Sequence, residues 1–578
     1  MPFWFAPKNW GAWAILALMF GVTTAATYLQ YQMTSWTNKF MTVFTTYDLA
    51  RFPQVISLFV AFGMGLAIIA VVERCLHGSI RIIWKSWLTE RFLSYWMERD
   101  TFYRIERDKV LDNPDQRIAE DVDIFISTCL TFTVGLYGTV IRVGSFSYKL
   151  WEIGGNLQVD AIGGITIPGY MVWCAVIVAM VELGLLHWTG RSLMSLNFAK
   201  QKADGDFRYG MTSVRGSAEE IAIYGGERTE LRRLEDLFGK VRTNLWRLLF
   251  VEMRFSGLRT LMENLSSPLP LILMGPKYFA KEVTFGDMAQ VGGLFGSVVS
   301  GFLWFAHNYE AIQIFRVVVA RLDVLQSAPG LTGRSAIKVK SGNAGTLDVR
   351  DMRISTPDGT EIASGINFSV KRGERWIVRG RSGAGKSTFL RALAGIWPHG
   401  NGQVTAPERS QSLFLPQRSY IPAGTLKAAL CYPKDAALYS DEACQAALVQ
   451  VELADLQAQL AVEDRWGQRL SLGEQQRLAI ARALIQRPAF LFMDEATSAL
   501  DPDTEATVYA RLVKGLPGTS IVHIAHHLSL DCFHDQALII GRGVAPAAGA
   551  VGRAAAVSTP AGGEYPAGAV ILSLKGTT

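Results

Sequence analysis

Charged residues are scarce in this chain. Asp, Glu, Lys and Arg make up 19% of the 578 residues, whereas apolar residues make up 49%; an average soluble domain has about 25% charged residues. The net charge of +6 is small for this length, so it gives no indication of nucleic-acid binding, and we expect none. This composition excludes a disordered or acidic solvating chain and favours a membrane-embedded part.

Cysteines are few, and they form no CxxC pair. This spacing indicates neither a disulfide framework nor a zinc site, and it suits a reducing compartment for the soluble part of the chain. The six cysteines are Cys75, Cys129, Cys174, Cys431, Cys444 and Cys532.

Long apolar runs dominate residues 1–326. Each of six runs has about the 20 residues that a transmembrane helix needs, and we predict an α-helical six-span transmembrane domain. The fifth run contains Glu263, Asn264, Pro268 and Pro270, so a buried soluble helix is the alternative there. The predicted spans are residues 10–31, 53–72, 127–148, 165–186, 258–279 and 288–309.

Basic residues concentrate in two loops between the predicted spans. Residues 77–126 contain eight Lys or Arg residues and residues 188–257 contain twelve, whereas each opposite loop contains at most two. By the positive-inside rule, the two basic loops and both termini are cytoplasmic. Both loops have few Pro or Gly residues and are predicted to be mostly helical, with breaks near residues 112–115 and 225–226.

The composition changes after residue 326. Residues 327–345 contain several Pro and Gly residues and are typical of a linker. Alternating strand-like and helix-like segments over residues 346–541 predict an α/β domain. Residues 542–578 form an Ala/Gly-rich, low-complexity C-terminal tail.

A glycine-rich loop follows the apolar strand at residues 376–378. Residues 380–388 read GRSGAGKST, the GxxxxGK[ST] pattern of a P-loop between a strand and a helix. Backbone N–H groups of such a loop bind phosphate oxygens, Lys386 is predicted to reach the β/γ-phosphates, and Ser387 is predicted to ligate Mg²⁺. The predicted nucleotide-binding residues of this loop are Gly380, Arg381, Ser382, Gly383, Ala384, Gly385, Lys386, Ser387 and Thr388.

A second apolar strand ends in Asp494 and Glu495. We predict that Asp494 holds Mg²⁺ and that Glu495 is the general base for the attacking water. A buried strand capped by solvated acids is the alternative.

Between the P-loop and this acidic strand end, residues 470–477 read LSLGEQQR before a helical run. Its Ser and Gly, at the start of a helix, predict a second anion site. We expect this site to act in a dimer, where it contacts the γ-phosphate of the nucleotide bound by the partner.

These motifs together resemble the ATP-binding cassette of ABC transporters, with Leu472 in place of the first glycine of the LSGGQ signature. The resemblance implies that ATP and Mg²⁺ are bound and that ATP is hydrolysed, with Lys386, Gln417, Glu495 and His526 as catalytic residues. It implies that Gln417 is also a Mg²⁺ ligand and that His526 contacts the γ-phosphate, with the adjacent His527 as the alternative. Further nucleotide-binding residues by this resemblance are Ser471, Gly473, Gln475 and Asp501.

The aromatic residue that usually stacks on adenine in this family, upstream of the P-loop, is missing from residues 353–357. Tyr420 is the proposed replacement, and a packed loop tyrosine is the alternative interpretation.

Three further motifs resemble the ABCD group: NPDQRI at 113–118, EEIAIYGG at 219–226 and GIWP at 395–398. That group includes peroxisomal fatty-acyl-CoA transporters and bacterial half-transporters, and the SbmA/BacA peptide-uptake proteins are similar in membrane-domain type. The resemblance implies an exporter-type membrane domain followed by a P-loop NTPase cassette, working as a homodimer. Because the chain begins close to its first span, we expect a bacterial inner-membrane protein.

The expected function is ATP-driven transport of a bulky or amphipathic solute, such as a peptide, a corrinoid or an acyl-CoA-like lipid, by uptake. A lipid or drug exporter is one alternative, and a membrane-bound ATP-gated regulator or channel is another. Polar residues inside the predicted spans are candidate substrate contacts, because charge in a bilayer is costly. They are Arg142, Glu182, Glu263, Asn264, His307 and Glu310.

Overall fold

The computed structural model describes residues 3–109, 111, 113–159, 165–190, 192–331, 336–342, 345–542 and 567–573. The chain forms two compact units, Met1–Pro329 and Gly330–Thr578. The elements of the first unit are α1 (Trp10–Thr45), α2 (Phe52–Met97), α3 (Thr101–Asp108), α4 (Pro114–Gln116), α5 (Val122–Gly154), β1 (Asn156–Val159), β2 (Ile165–Pro168), α6 (Tyr170–Gly190), α7 (Leu193–Gly216), α8 (Ala218–Tyr224), α9 (Glu227–Ser266), α10 (Leu269–Phe279), α11 (Phe285–Phe302), α12 (Trp304–His307) and α13 (Tyr309–Leu331).

Four helices in the described part of the chain are long and apolar enough to cross a membrane. They are α1, α2, the continuous helix Pro114–Gly154 that contains α4 and α5, and Tyr170–Thr189 of α6. These helices coincide with the first four predicted spans. The fourth begins later than predicted, because β2 occupies the start of that run and pairs antiparallel with β1. The β-branched residues of the Ile-Thr-Ile sequence favour this extended backbone.

The apolar runs of the fifth and sixth predicted spans are each divided among helices. Helix α9 ends at Ser266 and α10 begins at Leu269; the intervening Pro268 lacks the N–H group that a continuous helix requires. The sixth run is divided at Leu303 and Asn308, between α11, α12 and α13. The count of six spans therefore stays a prediction.

The two basic loops are largely helical, as predicted. The first is formed by the end of α2 together with α3 and α4, and the second by α7, α8 and most of α9. At the two predicted breaks between these helices, one residue adopts the left-handed backbone conformation: φ is 48° at Asn113 and 64° at Gly225. Long helices thus continue well beyond the apolar segments.

Helices α1 and α11 approach each other closely at Gly286. A Cβ atom on Gly286 would lie 2.6 Å from the carbonyl oxygen of Asn38, so a glycine is required at this crossing. Beside it, the Asn38 amide donates to Asp287 Oδ1 at 2.6 Å and to Oε1 of the buried Gln290 at 3.2 Å. Small residues and interhelical hydrogen bonds of this kind stabilise helix pairs in membranes.

The second unit contains strands and helices in α/β order. Its elements are β3 (Ile337–Ser341), β4 (Thr346–Ser355), β5 (Glu361–Lys371), β6 (Arg375–Arg379), α14 (Lys386–Leu393), β7 (Gly400–Ala406), β8 (Ser412–Leu415), β9 (Gly424–Thr425), α15 (Leu426–Cys431), α16 (Asp441–Gln450), β10 (Glu463–Asp464), α17 (Trp466–Arg469), α18 (Leu472–Gln486), β11 (Phe490–Asp494), α19 (Pro502–Gly515), β12 (Ser520–Ile524), β13 (Gln536–Arg542) and β14 (Ala567–Ser573).

A six-stranded sheet with the order β14-β13-β6-β12-β11-β8 is the centre of this unit. Its neighbouring strands are parallel except for β13 and β14. Strands β6, β11 and β12 lie next to one another, and their carboxyl ends meet at one edge of the sheet. The P-loop, Asp494 with Glu495, and the two histidines follow these three strands in the sequence, so the topology brings them together.

Two segments differ from the expected linker and tail. The segment 327–345 contains the end of α13 and strand β3, which pairs parallel with β7 in a second, four-stranded sheet. The tail 542–578 contains β14, which pairs with β13. Both strands have apolar residues in a β-compatible pattern, which the surrounding Pro, Gly and Ala residues obscure.

Candidate nucleotide-binding site

The P-loop connects β6 to α14, and α14 begins at Lys386. Gly385 has φ of +89°, and a Cβ atom there would lie 2.2 Å from Cγ2 of Ile362. A glycine is therefore required for the backbone to turn into the helix. The other predicted loop residues, 380–384, complete this turn, while Ser387 and Thr388 lie in the first turn of α14. Such a loop presents backbone N–H groups and a helix N-terminus to an anion.

Lys386 is 6% exposed and its ammonium group donates to two carbonyls of the loop, Gly380 at 2.9 Å and Arg381 at 3.1 Å. Burial lowers the pKa of Lys386, while the carboxylates of Glu495 and Asp494 act in the opposite direction. The lysine charge is thus held over the loop, next to two acids.

The hydroxyl of Ser387 donates to Oδ1 of Asp494 at 3.0 Å. Burial raises the pKa of Asp494, against the effect of this hydrogen bond. A hydroxyl and a carboxylate held side by side are hard oxygen donors of the kind that Mg²⁺ prefers. The residues therefore fit a magnesium ion, which Ser387 and Asp494 would hold.

Glu495 lies between an amide and an imidazole. Gln417 Nε2 donates to Oε2 of Glu495 at 2.9 Å, and His526 Nε2 lies 2.8 Å from Oε1. Glu495 has a φ of +48°, a left-handed conformation that is costly for a non-glycine residue, and its N–H donates to the carbonyl of Ile524. The strained turn after β11 therefore holds the carboxylate among groups that can orient a water molecule.

The adjacent histidines have different partners. His527 Nδ1 lies 2.8 Å from Oε2 of Glu505, which is buried and also accepts a hydrogen bond from Thr497. Of the two histidines, His526 contacts the predicted catalytic carboxylate. Arg379 holds the segment in place, since its guanidinium donates to the carbonyls of both histidines. Sequence reasoning missed Arg379, although it is the last residue of the strand before the P-loop.

The signature helix α18 begins with a capping box. The Ser471 side chain and the Glu474 carboxylate each bond the other residue's backbone N–H, and the Ser471 hydroxyl donates to Glu474 at 2.7 Å. These hydrogen bonds lower the pKa of Glu474. Gln475 donates to the carbonyls of Leu470 at 2.8 Å and Gly467 at 3.0 Å. The helix start is therefore rigid.

Gln476 connects the signature helix to the segment that follows Glu495. Its Oε1 accepts from the N–H of Ala499 at 2.8 Å, and its Nε2 donates to Ser498 Oγ at 3.3 Å and to the Glu495 carbonyl at 3.4 Å. A Cβ atom on Gly473 would lie 3.2 Å from the Ala499 carbonyl oxygen. The sequence analysis selected Gln475 and missed the buried Gln476. The presence of a second Gln in the LSLGEQQR motif could have indicated this residue.

Asp501 and Tyr420 lie in defined local surroundings. Asp501 caps α19 by accepting from the N–H of Thr504 at 3.0 Å, which lowers the pKa of Asp501. Tyr420 is 63% exposed, and its ring meets the ring of Tyr432 edge-on at 5.3 Å. The buried Arg482 donates to the Tyr420 carbonyl at 2.9 Å. These contacts fix the Tyr420 backbone and leave much of its side chain accessible.

Three of the six candidate substrate residues come together in the membrane domain. Glu182, Glu263 and His307 all lie within electrostatic range of Arg259, which the sequence analysis did not select. In the described part of the chain, the other three candidates form no hydrogen bond or ion pair with this group. They are Arg142 on α5, with its Nε buried and unpartnered, exposed Asn264 on α9 and exposed Glu310 on α13.

Two family models match the sequence. A model described as ABC transporter transmembrane region 2 matches residues 2–279, and a model described as ABC transporter matches residues 363–498. An ABC transporter ATP-binding protein of Haemophilus influenzae is 30% identical over 533 residues, which cover 90% of this chain and 88% of that protein. The chain belongs to the ABC transporter family.

Further similarities agree with this assignment. The chloroplastic ABC transporter D family member 2 of Arabidopsis thaliana is 28% identical over 618 residues, covering 93% of this ABC transporter and 85% of the plant protein. The structure of a bacterial Atm1-family ABC exporter with ATP bound matches with a TM-score of 0.74 at 18% identity, covering 91% and 94% of the two chains. The latter similarity concerns the fold.

The predicted fold class is confirmed: a helical transmembrane domain precedes an α/β nucleotide-binding cassette. The chain is an ABCD-like half-transporter, and it is an ATPase coupled to transport. Sequence motifs of the cassette and the membrane domain predicted this assignment correctly.

Proposed function

We propose that two copies of this half-transporter form the working unit, a homodimer in which each ATP site uses residues of both copies. The observation that carries ATP hydrolysis, on which this proposal depends, is the position of Glu495 between Gln417 and His526, at the same sheet edge as the P-loop. A carboxylate so placed suits hydrolysis rather than nucleotide binding alone. This favours a transporter over an ATP-gated regulator or channel, since a gate needs binding more than turnover.

In the proposed reaction, Lys386 and the P-loop backbone bind the β/γ-phosphates of ATP. A magnesium ion held by Ser387 and Asp494, with Gln417 nearby, would neutralise phosphate charge when bound. Glu495 accepts the proton of the attacking water, while His526 and Gln417 hold the Glu495 carboxylate in position.

The signature helix completes the site in trans. Its N-terminus at Ser471 has the donor groups of an anion site, and we propose that in each copy it faces the γ-phosphate bound by the other copy. Binding of two ATP molecules then closes the cassettes, and hydrolysis separates them. We propose that this cycle of closure and separation drives transport through the membrane domain.

We further propose that the homodimer lies in a bacterial inner membrane, with the cassettes and both termini in the cytoplasm, and that it takes up a bulky or amphipathic solute. The excess of Lys and Arg in the two long loops supports this orientation. The resemblance in membrane-domain type to the SbmA/BacA peptide-uptake proteins supports the direction of transport.

Reconstitution in proteoliposomes tests the proposal. ATPase activity should be stimulated by the transported solute, and solute should accumulate on one side only while ATP is hydrolysed. The Glu495→Gln variant serves as the control without turnover. Solute flux that needs ATP but proceeds equally in the Glu495→Gln variant would instead establish an ATP-gated channel.

A further inference from the structure

Four ionisable side chains from three helices come together in the membrane domain. Glu182 lies on α6, Arg259 and Glu263 lie on α9, and His307 ends α12. Arg259 Nε lies 2.9 Å from Oε1 of Glu263, one helical turn away. Glu182 is in electrostatic range of both of these residues, and so is His307. We call these four residues the Glu182 cluster.

Glu182 is the buried member of the cluster. It is 4% exposed, whereas the side chains of Arg259 and Glu263 are 44% and 54% exposed. Within the part of the chain that the structure describes, no hydrogen bond or ion pair is formed by the Glu182 carboxylate. An unpaired carboxylate in an apolar membrane domain is costly, and such residues typically mark a substrate or ion pathway.

The charges of the cluster do not balance. Arg259 is hydrogen-bonded to Glu263, so two carboxylates share one guanidinium and Glu182 has no cation of its own. On the same face of α6, one turn before and one turn after Glu182, Ala179 and Leu186 are also buried. The carboxylate therefore lies between the charged side chains of α9 and an apolar face of α6. A positively charged group attached to an apolar body would complement both.

We propose that the Glu182 cluster binds an ammonium or guanidinium group of the transported solute, with Glu182 as its direct partner. The inference rests on the transport function proposed above and specifies the class of its substrate: an amphipathic organic cation, such as a basic peptide. An acyl-CoA-like lipid does not fit, because its phosphates would meet a cluster with excess negative charge.

Two probes that differ only in charge test this proposal. The first is a fluorescent amphipathic peptide containing lysines, and the second is the same peptide with every lysine side chain acetylated. Binding of both is measured by fluorescence anisotropy with the full-length protein in nanodiscs. The variants are Glu182→Gln and Glu182→Asp. The control is Glu252→Gln, which removes a carboxylate from the helix that carries Arg259 and Glu263 but lies outside the cluster.

We expect the lysine peptide to bind more tightly than its acetylated form to the unmodified protein and to the Glu252→Gln variant. Glu182→Gln should weaken binding of the lysine peptide by about 10- to 100-fold, the range for losing a hydrogen bond to a charged group, and should leave the acetylated peptide unaffected. Glu182→Asp keeps the charge and should retain the preference, which shows that a loss in the Gln variant is not misfolding.

Equal binding of the two peptides to the unmodified protein would overturn the proposal, as would an unchanged preference in Glu182→Gln. Basal ATPase activity, measured on the same samples, separates this result from failure of the transport function. If ATPase activity depends on Glu495 but the peptides bind equally, the substrate class is wrong and the proposed transporter stands. If ATPase activity does not depend on Glu495, the proposed function itself fails.

Discussion

The imidazole of His526 lies 2.8 Å from the carboxylate of Glu495, while the next residue in the chain, His527, bonds a different acid. Two adjacent histidines therefore serve two separate networks, one at the nucleotide site and one in the interior of the cassette. Their functional difference is open to direct test.

We expect His526→Ala to lower ATP turnover by at least about tenfold, because Glu495 loses a group that holds it. His527→Ala should instead destabilise the cassette by about 1–3 kcal/mol, since the buried Glu505 loses a hydrogen-bond partner. Turnover per folded molecule and thermal unfolding of both variants are the measurements. A turnover defect confined to His527→Ala would reverse the assignment.

Glu495→Gln should bind ATP as tightly as the unmodified protein and hydrolyse it about 10²- to 10⁴-fold more slowly, the usual contribution of a general base. With hydrolysis blocked, ATP should hold two cassettes together, and cross-linking should detect the closed dimer. Adding Ser471→Arg should prevent closure, because a bulky cation would occupy the γ-phosphate pocket. Closure that survives this second change would contradict the shared site.

Lys386→Ala should weaken ATP binding by about 10- to 100-fold, because the phosphates lose a charged hydrogen-bond donor. Lys514→Ala removes an exposed lysine from α19 and is the matched control. Nucleotide titration of the two variants is sufficient. Affinities that agree with each other would reject the role assigned to Lys386.

Tyr420→Ala should weaken ATP binding by about 1–3 kcal/mol if the exposed ring stacks on adenine, as aromatic stacking on bases does elsewhere. Tyr420→Phe keeps the aromatic face and should bind ATP normally. If the Ala variant binds ATP normally, Tyr420 is a loop-packing residue and adenine is held elsewhere.

Gly286→Ala should destabilise the membrane domain by roughly 1–3 kcal/mol, because its new methyl group would overlap the Asn38 carbonyl on α1. Gly292→Ala on the same helix meets open space and should be neutral or slightly stabilising, since alanine favours a helix over glycine. Thermal unfolding in detergent compares the two. Equal stability would show that the helices separate easily at this crossing.

Local motifs made much of this molecule predictable. The P-loop, the acidic end of β11 and His526 are each recognisable within a few residues, and parallel strands bring them to one edge. Gln476 and Arg379 were missed because their partners are distant in sequence and are seen only after folding. For the same reason the sequence singled out Glu182, Glu263 and His307 separately but did not indicate that they meet Arg259.

Strand β14 and the breaks within the sixth apolar run were also beyond prediction. Pairing of β14 with β13 joins segments separated by a long low-complexity stretch, and long-range pairing leaves little trace in local composition. The break at Pro268 could be inferred from the proline itself, whereas the breaks at Leu303 and Asn308 have no comparable signal.

The hydrogen bonds of Gln476 have a consequence for how two ATP sites would communicate. This one side chain joins the start of α18 to the segment after Glu495. In the proposed homodimer, the groups that one copy contributes to its partner's nucleotide would therefore move together with the base that acts on its own nucleotide. A structural change at one ATP site would then reach the other site through the cassettes rather than through the membrane domain. Such a homodimer should show cooperative ATP hydrolysis, and Gln476→Ala should make the two sites hydrolyse ATP independently.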